Sequence, residues 1–412
     1  MKKKRWTLGI MIGLRQAQIE QLLASGSGQQ LEAKVPEDAF CRSLCSAGEK
    51  YELDVYLFSP LMYDSAKQQL LGIRLMNDRW ECAVCPLPDL VYDRCFYCSK
   101  EERARVRDFL HKMTCRHRFM KLGSDLPGKR EVFYILAQSA ELAGLLPQTF
   151  RYRDPVSLAQ QLAAHPHGLF LKPDAGSQGR GAMHLYQGNT GKTLHLRGRD
   201  LSNRPLAAAF PNAEAALQAV AKFIGRRRYI VQPYLALTDH QGRAFDLRVL
   251  VQKNERGNWS VTGMSVRTGE NGSVTSNVHG GGTATDAEAA LKLMLSTEKA
   301  AMLMKRIRFI SMLVPHQLEK ACGRLFELGL DFGIDTEGRL WLLEANSKPG
   351  RTVFDASPGN TGKKAVERPL QYARLLGAGV LKVNRLISDS AQNSVDTMKK
   401  RFPKESFQEV HP

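Results

Sequence analysis

The chain has 412 residues, 43% of them hydrophobic and 24% charged, a balance that excludes a disordered chain, a collagen and a coiled coil. Its 59 Lys and Arg against 41 Asp and Glu leave a net charge of +18. That surplus points to an anionic partner without choosing among nucleotide, nucleic acid, acidic polymer and membrane surface. No apolar run approaches the length of a membrane span. Met1–Arg5 followed by Trp6–Leu14 imitates a signal peptide, but Arg15, Gln16, Gln18 and Glu20 follow at once without a small-residue cleavage site. A first strand is the better reading. Eight cysteines are too few for a disulfide scaffold and imply reduced thiols in a cytoplasmic setting. Cys82 with Cys85, and Cys95 with Cys98, form two CxxC pairs that could hold a tetrahedral zinc. Glycine-rich knuckle turns are absent, so zinc ranks below ordinary half-buried thiols.

In chain order, residues 1–120 alternate short apolar strands (Thr7–Gly13, Asp54–Ser59, Asp89–Asp93) with helices, including a basic one from Arg103 to Arg118. That alternation predicts a small α/β domain. Lys129–Ala143 has a helical apolar pattern. Gly168–Lys172 and Met183–Tyr186 read as strands of a hairpin with a glycine loop between them. Glu214–Ile224 is an amphipathic helix, and Tyr229–Gln232, Arg243–Val251 and Trp259–Arg267 are strands. Thr285–Leu328 reads as two helices broken near Pro315, with Asp286 as an N-cap. Asp331–Ile334 and Arg339–Glu344 form a strand pair around the turn 335–338. From about Ser388 the chain is polar and basic, a loose tail.

Three constellations carry chemistry. The first is Lys172-Pro-Asp-Ala-Gly-Ser-Gln-Gly-Arg-Gly181, in which glycines let backbone amides approach phosphate oxygens and the lysine adds a point charge. A glycine hairpin alone is weak, because turns need glycine anyway. Nor is there a P-loop: the string Gly191-Lys192-Thr193 would need a glycine at Tyr186. The second joins Asp331 to Glu344 and Asn346. Glu344 and Asn346 are two apart on a strand and share a face, and Asp331 on the neighbouring strand can join them. Two carboxylates and an amide oxygen suit magnesium accompanying a nucleotide's phosphates. An unpaired carboxylate at 344 inside an apolar strand would be costly, whereas Asp335 only shapes its turn. The third holds Asp246-Leu247-Arg248, Arg267 and the loop Ser276-Asn277-Val278-His279-Gly280-Gly281-Gly282, where Arg248 and Arg267 on adjacent strands could converge on one phosphate.

Together, in this order, these segments resemble the ATP-grasp superfamily. The glycine hairpin, "FDLRVLV" and "SNVHGGG" look like RimK-type and glutathione-synthetase-type ligases. "ELGLDFGID" with "LWLLEANSKPGRTVF", and "DLVYDRCFY" and "LLPQT" upstream, are similar to the YheC/YheD family, described as endospore coat-associated. The resemblance runs from about residue 5 to 375 and implies an ATP-grasp fold of α/β (α+β) class: an N-terminal pre-ATP-grasp domain over 1–120, a central subdomain over 121–235, a C-terminal subdomain over 236–387, and the tail 388–412. It implies that Lys129, Lys172, Gly176, Ser177, Gln178, Gly179, Gly181, Gln232 and Tyr234 surround ATP. It implies that Asp331, Glu344 and Asn346 hold Mg2+ or Mn2+, and that Arg248, Asn277 and Arg267 surround the transferred phosphate. The implied reaction joins a carboxylate to an amine through an acyl phosphate, in sporulation or envelope biosynthesis. The alternative is an ATP-binding coat-associated protein without turnover. A nucleic-acid partner ranks last, because the basic residues are scattered without interleaved aromatics.

The substrate has no readable code. Asp93 and Arg94 are candidates to line its cleft, with a local ion pair as the equal alternative. Lys348 and Arg351 follow the metal strand in a turn shaped by Pro349 and Gly350. They suggest a substrate with a second anion, such as an acidic small molecule or peptide. The competing reading is that Arg351 pairs with Asp355 or a neighbouring acid and stiffens the loop.

Overall fold

The computed structural model describes residues 5–25, 28, 35–64, 66–96, 100–176, 179–188, 191, 193–273, 275–276, 282–354 and 360–379. It divides into two compact units, one of residues 1–122 with 369–412 and one of residues 123–368. Residues 369–379 group with the first unit.

In the first unit, β1 (Trp6–Met11), β2 (Leu53–Phe58), β3 (Tyr63–Asp64), β4 (Gln69–Met76), β5 (Arg79–Cys85), β6 (Leu90–Asp93) and β7 (Met120–Lys121) form one sheet. Its helices are α1 (Gln16–Ser25), α2 (Asp38–Gly48) and α3 (Lys100–Arg116). β1 lies parallel between β2 and β6. Parallel central strands are covered on both faces, which is why they read as unbroken apolar runs. Val106, Phe109 and Met113 of α3 pack against Met11, Phe58 and Val91. The β4–β5 hairpin is an addition to the strands expected here. It turns at Asn77 and Asp78, both at positive φ (47° and 58°), the two-residue turn that matches strand twist. Cys82 and Cys85, three apart on β5, face opposite sides of the strand, which separates one CxxC pair. Cys98 lies outside the described residues.

The second unit opens with α4 (Lys129–Ala137) and α5 (Ala140–Ala143). Next come β8 (Phe150–Arg151), α6 (Pro155–Ala164), β9 (Leu169–Pro173), β10 (Met183–Gln187), β11 (Leu194–Arg199), β12 (Pro205–Phe210), α7 (Ala213–Ile224) and β13 (Tyr229–Pro233). The strands assemble in the order β12-β11-β10-β9-β13-β8. Leu169, Leu171, Met183, Leu185 and Val231 face α6 and α7 to form a core. The alternate residues Phe170, Lys172, His184 and Gln232 therefore share the other face.

The second sheet of this unit contains β14 (Phe245–Lys253), β15 (Trp259–Thr268), β16 (Thr283–Asp286), β17 (Glu327–Ile334) and β18 (Leu340–Asn346). Their order is β16-β15-β14-β17-β18. Two helices, α8 (Ala287–Met294) and α9 (Thr297–Cys322), separate β16 from β17. Ile307, Ile310, Val314 and Leu318 of α9 pack on Leu247, Val249, Leu328, Leu330 and Phe332. The opposite face carries the polar side chains Asp246, Arg248, Arg267, Asp331 and Glu344, beside a smaller apolar cluster of Leu250, Val353, Phe354 and Ala365. Asp286 caps α8, its carboxylate accepting from the Ala289 amide. Pro315, expected to break the helical region, lies buried inside α9. The break falls at Leu295–Ser296, where Leu295 is extended and Ser296 caps the next helix. Apolar burial on both sides of Pro315 outweighs a proline cost of about 3 kcal/mol.

At Gly198 of β11, facing Met183 of β10, a Cβ would run into the Ala182 carbonyl oxygen and stand 2.8 Å from the Met183 Cα. Both obstacles are backbone of the strand that holds the glycine hairpin. Gly198→Ala should therefore cost about 1–3 kcal/mol of stability, read as a lowered midpoint in thermal denaturation.

Candidate functional site

The polar face of the second sheet centres on Asp331. Register sets Asp331 opposite Arg248 on one side and Glu344 on the other, with Asn346 opposite Gly329. Asp331, Glu344 and Asn346 thus share one face, as their spacing suggests. A bulge after Asp331 shifts the register of β17 and β18 beyond that point. Asp331 is 7% exposed and doubly held. Arg248 donates to it through Nε at 2.5 Å and Nη2 at 3.0 Å, and the Arg267 Nη2 lies 3.0 Å from Oδ2. Burial alone would raise this carboxyl, but the Arg248 and Arg267 guanidiniums outweigh it and hold it well below the usual carboxylate range.

Arg267 reaches further. Its Nε and Nη2 each donate to Asp246 at 2.6 Å, and the Ser276 hydroxyl donates to the same carboxylate at 2.5 Å. The buried chain runs Ser276–Asp246–Arg267–Asp331–Arg248. Asp246 and Ser276, which stand within the sequence motifs, join the site as partners of Arg267. Their signal was an acid two residues before a buried arginine on one strand, hence on the same face. Asn277 lies outside the described residues, as do Ser177 and Gln178.

Lys129 and Lys172 meet near β18. The Lys129 ammonium is 3.2 Å from Glu344 Oε1 and donates to the Gly176 carbonyl at 2.7 Å. The Lys172 ammonium donates to the Leu343 carbonyl at 3.3 Å and lies within 6 Å of the Phe133 and Phe170 rings. Burial pushes the Lys172 ammonium down to about 8, with the Lys129 charge adding to the effect and Glu344 and Asp331 opposing it. Asp174, next after the β9 strand, accepts from the Arg130 amide, and its carbonyl accepts from the Lys129 amide. The hairpin thereby fixes the N-terminus of α4 and its lysine. Gly176, Gly179 and Gly181 all have positive φ, and a Cβ at Gly181 would come 2.6 Å from the Tyr229 hydroxyl.

Gln232 is buried on the Lys172 face, where its amide donates to the Thr149 hydroxyl at 2.8 Å. Tyr234 stacks on His184 with ring centroids 3.5 Å apart, and Tyr186 and His195 extend the column. Burial lowers the His184 imidazole to about 4 and raises the Tyr234 phenol, so these two stacked rings are neutral at pH 7. A lone histidine in an apolar strand such as His184 carries no local signal in the sequence.

Four residues assigned to substrate are engaged elsewhere. The Arg351 guanidinium is 6% exposed and bonded to the buried Glu327, the kind of neighbouring acid that the loop-stiffening reading names. The reason is steric. Pro349 packs over Gly329, whose Cβ would stand 2.7 Å from the Pro349 Cβ, and the turn folds Arg351 down onto the sheet. Asp355 lies outside the described residues. Lys348 pairs with Asp125 at 3.1 Å. In the first unit, Asp93 pairs with Lys121 at 3.0 Å and accepts from the Cys95 amide. Arg94 forks onto Glu37 at 2.7 and 2.8 Å. Both are thus paired with residues distant in sequence, 28 and 57 positions away.

The family model described as "YheC/D like ATP-grasp" matches residues 118–376, well over half of the chain. The chain belongs to the YheC/D-like ATP-grasp family. Endospore coat-associated protein YheC of Bacillus subtilis (strain 168) is 30% identical over 288 residues, which cover 68% of this chain and 76% of that protein. Endospore coat-associated protein YheD of the same organism is 25% identical over 284 residues, 69% of this chain and 61% of that protein. Among solved structures, D-cycloserine synthetase DcsG superposes with a TM-score of 0.51 at 14% identity, over 90% of this chain and 98% of that one. VanG D-Ala:D-Ser ligase from Enterococcus faecalis superposes with a TM-score of 0.50 at 13% identity, over 91% and 99%. At such identities the likeness is one of fold, and the fold is ATP-grasp. No helix among the described residues is long and apolar enough to cross a membrane.

The depressed Lys172 has a thermodynamic consequence for this ATP-grasp chain. Folding lowers its pKa from 10.5 to about 8, so the native state binds fewer protons than the unfolded state between those values. Its burial penalty is complete below pH 8 and is relieved as pH rises toward 10.5. Lys172→Met should raise the thermal midpoint at pH 7, and the gain over wild type should shrink between pH 8 and 10.5. A constant difference across that range would contradict the assignment.

Proposed function

We propose that this protein is an ATP- and magnesium-dependent ligase that activates a carboxylate as an acyl phosphate and passes the acyl group to an amine. One observation carries the reading. Two lysines from the α4 and β9 side converge on the strand bearing Glu344, on the face that also carries Asp331 and Asn346. Cations for a polyphosphate thus stand beside hard oxygen donors for its metal. The YheC and YheD names support a setting in spore formation.

Asp331, Glu344 and Asn346 fit a magnesium ion. All are oxygen donors at neighbouring positions of one face. Three guanidinium nitrogens use three of the roughly four lone-pair sites of Asp331, leaving one for a cation. When bound, the ion would draw negative charge off the phosphate oxygens. In this reading Lys129 and Lys172 hold and orient the phosphates, and Gln232 and Tyr234 flank the base. Arg248 steadies charge on the transferred phosphoryl group, and Arg267, fixed by Asp246, keeps Arg248 and Asp331 in place. The glycine hairpin keeps water from the acyl phosphate until the amine displaces phosphate. Arg351 and Lys348 are paired with Glu327 and Asp125 and have no substrate role in this reading.

The test is ADP release with Mg2+ and pools of carboxylates and amines. Turnover that requires both pools and is abolished by chelator supports the ligase. Tight ATP binding with no release in any pool would instead establish nucleotide binding without turnover. Arg248→Ala should lower kcat on the order of 10²–10³-fold while the circular dichroism spectrum stays native. ATP affinity should fall as pH is raised from 7 to 9, because the Lys172 charge is lost through about 8, and Lys172→Met should flatten that dependence.

A further inference from the structure

A cavity of about 270 Å³ lies at the β8 edge of the six-stranded sheet, lined by Arg130, Arg151, Asp174, Arg228, Tyr229 and Ile230. That volume is at the small end of ligand pockets. The three arginines come from separate places: the first turn of α4, strand β8, and the residue before β13. Tyr229 and Ile230 in the lining are buried, while the three arginines are exposed. Among the described residues none of the three guanidiniums is hydrogen-bonded or ion-paired.

The pocket is electrostatically unbalanced. Its one acid, Asp174, is spent on the α4 terminus, where it accepts from the Arg130 amide. Arg130 itself sits at a helix N-terminus, the end where a cation is disfavoured. Three like charges around a small cavity repel one another, and the single carboxylate of Asp174 leaves the lining with a surplus of two positive charges. A guanidinium offers a planar fork that matches phosphate oxygens through paired hydrogen bonds.

This cavity lies on the same face of the sheet as the nucleotide residues and beside them, but it is lined by different cations. Ile230 pairs with Lys172 on one side and Arg151 on the other, so Arg151 lies two strand spacings, about 10 Å, from Lys172. On α4 the neighbouring side chains diverge, Lys129 to Glu344 and Arg130 to this cavity. We propose that Arg130, Arg151 and Arg228 form a second anion site that takes a small phosphate-class oxyanion bearing at least two negative charges.

Inorganic pyrophosphate, titrated calorimetrically into the full chain at 150 mM NaCl, tests this. Wild type should bind saturably, and one equivalent should still bind when ATP and Mg2+ fill the nucleotide residues. The R151A/R228A double variant should bind at least tenfold more weakly, while Lys172→Ala stays within about threefold of wild type. Absence of saturable binding to wild type would overturn the proposal. So would pyrophosphate affinity that survives in R151A/R228A and is lost with Lys172→Ala, since the anion would then occupy the nucleotide residues. Should the double variant not fold, Arg151→Gln alone decides: a loss of threefold or more supports the site, and unchanged affinity refutes it.

Discussion

The second unit is organised around one buried carboxylate, Asp331, gripped by two arginines. A carboxylate removed from water persists only where its charge is met by hydrogen bonds and opposite charge. Arg248 meets it with a two-pronged contact, and Arg267 adds a third. Arg267 is itself buried and needs Asp246, which also takes the Ser276 hydroxyl. β14, β15, β17 and the loop ending at Ser276 are therefore tied together by charge on the face away from α9. On the α9 face they are tied by ordinary apolar packing. Two different kinds of cohesion act on opposite sides of the same sheet.

This division explains the placement of the chemistry. The helix-covered face excludes water and sets the strands rigidly. The opposite face inherits that rigidity, so side chains two apart on a strand keep a fixed spacing. Charged groups held in advance do not have to reorganise when charge develops, which is the most effective form of electrostatic assistance. The two lysines belong to the same scheme. Lys129 is set by the Asp174 contact with α4, and Lys172 by the antiparallel pairing of β9 with β10 and β13.

Much of this was legible in local patterns. Glu344 and Asn346 share a face because strand periodicity demands it, and the turn at 335–338 set Asp331 beside them. The Asp286 cap and the glycine hairpin announced themselves the same way. Long-range pairings were not legible. Arg351 finds Glu327 twenty-four positions away, because Pro349 can pack only where Gly329 leaves room, and no local spacing encodes that. The grip of Arg248 on Asp331 spans 83 positions and follows from which strands became neighbours. Pro315 misled because the cost of a helical proline is local, whereas the burial that outweighs it is tertiary. The β4–β5 hairpin did have a signal, Asn77-Asp78, between strands too polar to stand out.

The first unit also draws on a distant stretch of chain. Leu370, Tyr372 and Ala373 are buried, and Gly377 presses on the Trp6 indole so closely that a Cβ would stand 2.8 Å from the ring. Arg374 reaches Glu52 at 3.2 Å. A ribosome emits the chain from the N-terminus at about 5–20 residues per second. The residues that cover Trp6 therefore emerge only after the whole of the second unit. For the intervening tens of seconds the nascent first unit must wait with an uncovered hydrophobic flank, and the ATP-grasp unit can finish folding before the unit that precedes it in sequence.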